Sequence, residues 1–315
     1  MKVLITELIW PVGIDRLSSV AHVEYDPTLW NDREALLEKV KDVDALIVRN
    51  QTRVDDILLQ SAKNLKVVGR LGVGLDNIDL KIAKLLKVDV VYGRNANAIS
   101  VAEYVMSAML EANRPLFQAN QDVKKGNWDR KRFTGFELYG KTLGVVGMGE
   151  IAHRLAKRAK AFGMHVVGYD PFMTPYDFPT AETGIEAVSF SELLSHSDFI
   201  SIHVPLTPQT RSMFSSDQFQ MMKETAYIIN TARGGIIDEG ALLHAVNSNW
   251  IMGAFLDVLE QEPIDPNHPL LQNDNIVITP HVAGLTDESQ VRTSILVAEE
   301  VIKILQGQSA LCVVR

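Results

Sequence analysis

Three side chains of complementary chemistry stand just past apolar runs in the last third of the sequence. Arg233 follows "YIINTA", Glu262 comes shortly after Asp257 in "GAFLDVLEQEP", and His281 closes "NIVITPH". An imidazole carries a proton near neutral pH, and a carboxylate beside it favours its charged form. A guanidinium offers a forked pair of donors to another carboxylate. Together the three suit acid/base work on a small anionic molecule. Taken singly, none carries that reading. A lone histidine is more often a surface or satisfied core residue, and Arg233 beside two glycines reads equally well as an exposed turn. Glu262 is one of three acids in a polar loop. Their joint weight comes from position. Each follows a separate strand-like run, at the edge where parallel sheets place their ligands.

A second constellation lies upstream. The stretch "TLGVVGMGEIAHRLAKRA" carries Gly147, Gly149 and Ala152 in the pattern G-x-G-x-x-A, after a strand-like run and at the start of a helical one. Gly147 permits a tight turn, Gly149 lets the backbone approach a pyrophosphate, and Ala152 lets the helix pack on the strand. The helix N-terminus, at Glu150 and Ile151, offers N–H groups and positive partial charge to phosphates. Asp170 ends the next strand-like run, "HVVGYD". A carboxylate there can accept both ribose hydroxyls of NAD and would repel the 2′-phosphate of NADP. Arg154 and Arg158 lie inside the helix and read as its exposed face. An ordinary βαβ turn, or a methyl transferase site for S-adenosylmethionine, could use the same glycines and acid. Joined to Arg233, Glu262 and His281, a nicotinamide cofactor implies hydride transfer to or from a hydroxy acid.

These groups need a scaffold, and the rest of the chain supplies the pattern of one. At 315 residues the chain is too long for one small core and suggests two domains. In the first third, "KVLIT", "ALIVR", "LKVVGR" and "VDVVYG" alternate with helical stretches such as "DREALLEKV" and "DDILLQSA". A long helical pattern, "SVAEYVMSAMLEANRPLFQANQDVKKG", follows and is broken by Pro115. Then the alternation restarts, with strands expected at "TLGVVG", "HVVGYD", "DFISIHVP", "AYIINTA", "GAFLDV" and "NIVITPH". Six such strands make a complete doubly wound sheet. The amphipathic "DESQVRTSILVAEEVIKILQG" could pack back on the first domain. The expected fold is therefore α/β: two doubly wound, parallel-sheet, Rossmann-like domains, the first of them discontinuous. The expected boundaries are 1–95 with 284–315, and 96–283. Two chain crossings would form a natural hinge.

The motifs resemble those of the D-isomer-specific 2-hydroxyacid dehydrogenases, in particular their phosphoglycerate dehydrogenase-like branch. The likeness runs over essentially the whole chain, through "VVGRLGVGLDNID", "GKTLGVVGMGEIA", "HVPLTPQT", "INTARGGIIDE", "LDVLEQEP" and "ITPHVAG". By that resemblance, Arg233 binds the substrate carboxylate and carbonyl oxygen, His281 is the acid/base, and Glu262 is its partner. Asp257 is expected to hold the nicotinamide carboxamide, with Thr231 and Ala232 at the same end of the cofactor. Val204 and Pro205 are expected to wall the adenosine pocket, with Thr207 near the phosphates. Val73 and Gly74 match a loop whose N–H groups bind the substrate carboxylate, and Asn97 falls near the interdomain cleft. Two departures stand out. Ala152 replaces a third glycine, and "NANAISVAE" differs from the "GNS-x-S-x-AE" form of phosphoglycerate dehydrogenases.

Arg49, Arg70 and Arg130 match positions that contact a distal phosphate in that branch, Arg130 arriving from the second subunit of a homodimer. They imply a substrate with a second anionic group: phosphate, sulfonate or carboxylate. Structural ion pairs are the alternative, and "KKGNWDRKR" is equally well a solvated helix end. The implied activity is most like that of D-3-phosphoglycerate dehydrogenase, with glyoxylate/hydroxypyruvate reduction or sulfolactate oxidation as neighbours. An NAD-sensing, corepressor-like binding protein is the rival from another class. The net charge of −8 suggests no nucleic-acid surface. The single cysteine, Cys312, suggests a cytosolic, metal-free protein without disulfides. "MKVLITELIW" is interrupted by Glu7 and reads as a strand, not a signal peptide, and no run reaches membrane-span length. Because the chain stops soon after its last helix, a C-terminal regulatory domain is not expected.

Overall fold

Near-continuous apolar strands need helices on both faces of their sheet, and short β-branched runs separated by helical patterns satisfy that need as parallel βαβ units. A computed structural model of the chain, describing residues 1–174 and 176–314, contains two such sheets, and all of their strand pairs are parallel. They belong to separate units, residues 1–97 with 285–315, and residues 98–284.

In the first unit, β1 (Lys2–Ile5), α1 (Pro11–Ser18), β2 (His22–Tyr25), α2 (Arg33–Lys39), β3 (Ala45–Val48), α3 (Asp56–Ser61), β4 (Val67–Arg70), α4 (Leu80–Leu85) and β5 (Asp89–Tyr92) alternate. The sheet order is β2-β1-β3-β4-β5, the flavodoxin-like arrangement. Asp32, Asp55 and Asp79 cap α2, α3 and α4, each accepting a first-turn N–H. The register pairs Val48 with Arg70 and Arg70 with Tyr92, so the loops after β3, β4 and β5 leave from one edge.

The second unit opens with α5 (Ala98–Asn113) and α6 (Leu116–Lys124), separated where Pro115 ends the helical run. Then come β6 (Thr142–Val146), α7 (Glu150–Ala161), β7 (His165–Tyr169), α8 (Phe178–Thr183), β8 (Glu186–Ala187), α9 (Phe190–His196), β9 (Phe199–Ile202), α10 (Ser216–Met221), β10 (Tyr227–Asn230), α11 (Glu239–Asn247), β11 (Gly253–Leu256) and β12 (Ile276–Ile278). The sheet order is β12-β11-β10-β9-β6-β7-β8. The sequence reading expected six strands here, and β8 is a seventh. At two residues it is too short to show the alternation that announces a strand. The direction of winding reverses between β6 and β9, which marks the switch point where such sheets bind ligands.

The last helix, α12 (Asp287–Leu305), returns to the first unit. Val297 and Val301 fill the space left by Gly69 on β4, and the Ser294 hydroxyl accepts from the Trp10 N–H at 3.2 Å. The buried Glu300 carboxylate takes the N–H groups of Leu311 and Cys312 and the Lys303 ammonium, which ties down the C-terminal segment.

Candidate active site

Parallel register turns six separate loops into one row. Val146 pairs with Tyr169 and Ile202, Ile202 with Asn230, Asn230 with Leu256, and Leu256 with Ile278. The next residue of each strand is therefore Gly147, Asp170, His203, Thr231, Asp257 or Thr279. Four of these six were singled out from sequence. The row lies at the C-terminal edge of the sheet, so each following loop begins at the same level.

At the switch point Gly147 has φ +89°, and a Cβ there would stand 2.7 Å from the His203 carbonyl oxygen. Only glycine fits that turn. Gly149 is different, since a Cβ there would meet nothing within 4 Å. Beside this open space lies the N-terminus of α7, where Glu150 pairs with Arg154 at 2.5 Å. Arg158 pairs with Glu103 at 2.8 Å, so both helix arginines are held by surface acids. Ala152 is fully buried under the strand. The Asp170 carboxylate accepts one N–H at each oxygen, Met148 at 3.0 Å and Phe172 at 2.9 Å. A carboxylate has about four acceptor sites, so hydroxyls can still bind there. Further along the row, past His203, the Thr231 hydroxyl is buried without a hydrogen-bond partner among the described residues. An open glycine cradle at a helix N-terminus, a strand-end acid and an unsatisfied hydroxyl fit an extended dinucleotide. Val204, Pro205 and Thr207 follow His203, whose ring burial pushes down to a pKa of about 4. It is therefore neutral beside the cradle. Thr207 is closed into a turn by Thr210.

His281 and Glu262 meet. The imidazole Nδ1 lies 2.8 Å from Glu262 Oε2, and both side chains keep solvent access, 44% and 38% exposed. Glu262 Oε1 accepts the Leu259 N–H at 3.1 Å, which fixes the carboxylate plane. Partial burial opposes ionisation of Glu262. The His281 hydrogen bond, the Leu259 N–H and the charges of His281 and Arg233 outweigh it, so the carboxyl titrates below its usual range.

Arg233 reaches this loop through two local devices. Buried Asn230 accepts the Ala232 N–H and donates to the Arg233 carbonyl, which closes the turn after β10. Gly234 then packs so tightly that a Cβ would lie 1.9 Å from the Leu259 carbonyl oxygen. The Arg233 guanidinium donates from Nη1 to Ala232 O at 2.6 Å and acts electrostatically on Glu262.

Asp257, 2% exposed, turns towards the histidine loop. Its Oδ1 accepts from the Thr279 hydroxyl at 2.6 Å and the Val282 N–H at 2.7 Å, and its Oδ2 accepts from the Ala283 N–H at 2.8 Å. These bonds bracket His281, whose φ of +55° is left-handed. For a residue with a Cβ that conformation costs roughly 1–2 kcal/mol, so the surroundings must hold it. Thr279 also bonds the Tyr104 hydroxyl of α5 at 2.6 Å. The sequence reading missed Tyr104, Thr279 and Asn230. Only Thr279 carried a signal, through its place before "PH".

The first unit carries the remaining candidates. Arg49 directly follows β3, and Arg70 ends the neighbouring β4. The Glu7 carboxylate accepts four consecutive N–H groups, from Arg49, Asn50, Gln51 and Thr52, at 2.8–3.1 Å. The acid that interrupts the first apolar run thus shapes the Arg49 loop. Burial pulls the Arg49 pKa down, partly opposed by Glu7. The Arg70 guanidinium folds over Gly72 and donates to Leu71 O at 3.2 Å. Val73 is exposed, Gly74 is half-buried, and Asn97 Oδ1 is buried without a hydrogen-bond partner among the described residues. Arg130 belongs to the second unit and is exposed after α6, in a turn closed by Thr134 donating to its carbonyl. Among the described residues no cluster of His, Cys, Asp and Glu could hold a metal ion, and no helix is long and apolar enough to cross a membrane.

Residues 106–283 match the family profile described as "D-isomer specific 2-hydroxyacid dehydrogenase, NAD binding domain". The chain belongs to this family. Its second unit thus carries the family's NAD-binding domain. The chain is 46% identical over 312 residues to a D-3-phosphoglycerate dehydrogenase of Methanocaldococcus jannaschii, covering 98% of this chain and 58% of that protein. It therefore spans little more than half the length of that relative. It is 40% identical to an (S)-sulfolactate dehydrogenase of Chromohalobacter salexigens, covering 96% and 98% of the two chains. Among solved structures, the TT0316 protein of Thermus thermophilus superposes with a TM-score of 0.92 at 32% identity, over 100% of both chains.

Proposed function

We propose that this dehydrogenase-family chain transfers hydride between NAD and a D-2-hydroxy or 2-oxo acid bearing a second anionic group, with 3-phosphoglycerate as the best-fitting substrate. The observation that carries the reading is the His281–Glu262 pair standing with Arg233 on the C-terminal edge of the NAD-binding sheet. Bound NAD supplies the hydride acceptor, and NADH the donor. The Gly147–Gly149 turn and the α7 N-terminus would hold its pyrophosphate, and Asp170 its ribose hydroxyls.

The chain's own residues do the rest. Glu262 occupies Nδ1 of His281 and leaves Nε2 to exchange a proton with the substrate oxygen. In oxidation the neutral ring takes the hydroxyl proton, and in reduction the charged ring returns it. Glu262 remains ionised throughout and favours the charged ring. Arg233 binds the substrate carboxylate with a guanidinium fork and stabilises charge that builds on the reacting oxygen. Arg49, Arg70 and Arg130 are assigned to the distal anion, and Val73, Gly74 and Asn97 to the substrate. A homodimer in the cytoplasm completes the reading, with Arg130 offered to the partner. The exposed Leu116, Phe117, Trp128, Phe136 and Tyr139 support a subunit contact there.

The deciding experiment is NADH oxidation with the phosphorylated, sulfonated and unsubstituted C3 2-oxo acids and with glyoxylate. The phosphorylated acid is expected to give the highest kcat/KM, and Arg130→Ala should raise its KM far more than that of glyoxylate. A sulfonate preference would move the assignment to sulfolactate. Tight NADH binding with no turnover of any acid would favour an NAD sensor.

A further inference from the structure

The catalytic histidine sits at the end of a three-residue hydrogen-bond chain that begins on a different element. Thr279 donates its only hydroxyl hydrogen to Asp257 Oδ1, at 2.6 Å. Its contact with Tyr104, also 2.6 Å, must then run the other way, with the phenol donating. The order is fixed: Tyr104 Oη–H to Thr279 Oγ1–H to Asp257. Asp257 also accepts the N–H groups of Val282 and Ala283, the two residues that follow His281. Between the two grips, at Thr279 and at residues 282–283, the backbone turns through the left-handed His281.

We infer that Tyr104 and Thr279 are positioning residues that set the His281 ring for proton transfer by orienting Asp257 beneath its loop. This rests on the dehydrogenase reading and adds two residues whose hydroxyls bond neither His281 nor Glu262; Thr279 meets His281 through its backbone carbonyl, which accepts the His281 N–H at 2.9 Å. Without the hydroxyl of Thr279, Oδ1 of Asp257 keeps only one donor, and the carboxylate can rotate. The N–H pair then loses its fixed acceptor, and the left-handed turn loses what holds it. Tyr104 acts one step further out by denying Thr279 other rotamers. Burial, the leading influence, raises its pKa, so the phenol keeps the proton it donates. The hydroxyl and not the ring volume is the working part, because each bond in the chain is made by an oxygen.

The test uses the 315-residue chain carrying Tyr104→Phe, Thr279→Val and Thr279→Ser. Two measurements are made on each. Amide hydrogen exchange at Val282 and Ala283 needs no substrate, and kcat and KM are taken with the acid that the wild type turns over best. Expected are faster exchange in Tyr104→Phe and Thr279→Val. Their kcat should fall by about tenfold and up to about a hundredfold, the larger figure corresponding to a misplacement of about 1 Å. The KM for NADH should change far less than kcat, and Thr279→Ser should restore both exchange and kcat. Unchanged exchange in Tyr104→Phe and Thr279→Val overturns the tether. Faster exchange with wild-type kcat overturns the positioning role. A wild type that binds NADH but reduces no acid removes the dehydrogenase reading, while the exchange data still decide the tether.

Discussion

His281 is solvent-accessible, and its conformation is locally unfavourable, so packing alone does not explain its placement. Glu262 orients the ring and Asp257 orients the backbone, two carboxylates with separate tasks. At this scale the expected outcome of His281→Asn is a loss of roughly 10²–10⁴ in kcat, the range for one acid/base group. Thermal midpoint and NADH affinity should stay near wild type, because the side chain is 44% exposed and asparagine tolerates the left-handed backbone. Steady-state kinetics with a parallel melting curve checks this. A matching fall in stability would mean that the residue is structural. Much at this scale could be read from sequence. A histidine after "NIVITP" stands at a strand end whatever the details of packing. Its supports could not be read, because Tyr104 is separated from Thr279 by 175 residues and nothing local links them.

Elements convert strand-end positions into a site. The switch point between β6 and β9 opens the crevice, and α7 aims its N-terminus across it. The two glycines of the turn have different physical duties, and substitution separates them. Gly147→Ala places a Cβ against the His203 carbonyl in a positive-φ turn. It should lower the melting temperature without ligand and abolish NADH binding. Gly149→Ala meets empty space at φ −81°. Its melting temperature without ligand should match wild type, while the stabilisation produced by NADH should shrink, since the added methyl occupies room the pyrophosphate would use. Thermal shift with and without NADH reads both. An equal loss in the two variants would remove the cradle assignment. The turn was legible because glycine spacing is a backbone requirement written directly in residue type. Strand β8 was not, because two residues carry no period.

For the whole molecule, α6 buries none of its residues within the chain, and Trp128 and Tyr139 are 79% and 76% exposed. That much aromatic surface is costly to leave in water. The expected species in sedimentation velocity is a dimer of the 35.0 kDa chain, and Trp128→Glu should shift it towards monomer. If the dimer reading and the role of Arg130 both hold, that variant should also lose affinity for the phosphorylated acid. A wild-type monomer at micromolar concentration would refute the subunit contact.

Alternating apolar runs and helical patterns by themselves determined the α/β class, because burial on both faces of a parallel sheet constrains composition strand by strand. They also determined which residues stand at strand ends, since that follows from chain order. Tertiary structure alone decided the strand register that aligns Gly147, Asp170, Thr231, Asp257 and Thr279 in one row. It alone revealed Glu7 beneath the Arg49 loop, and the Tyr104–Thr279–Asp257 chain beneath His281. The reason is physical. A hydrogen bond is settled within a few tenths of an ångström between groups distant in sequence, and hydrophobic periodicity places elements but not individual polar atoms.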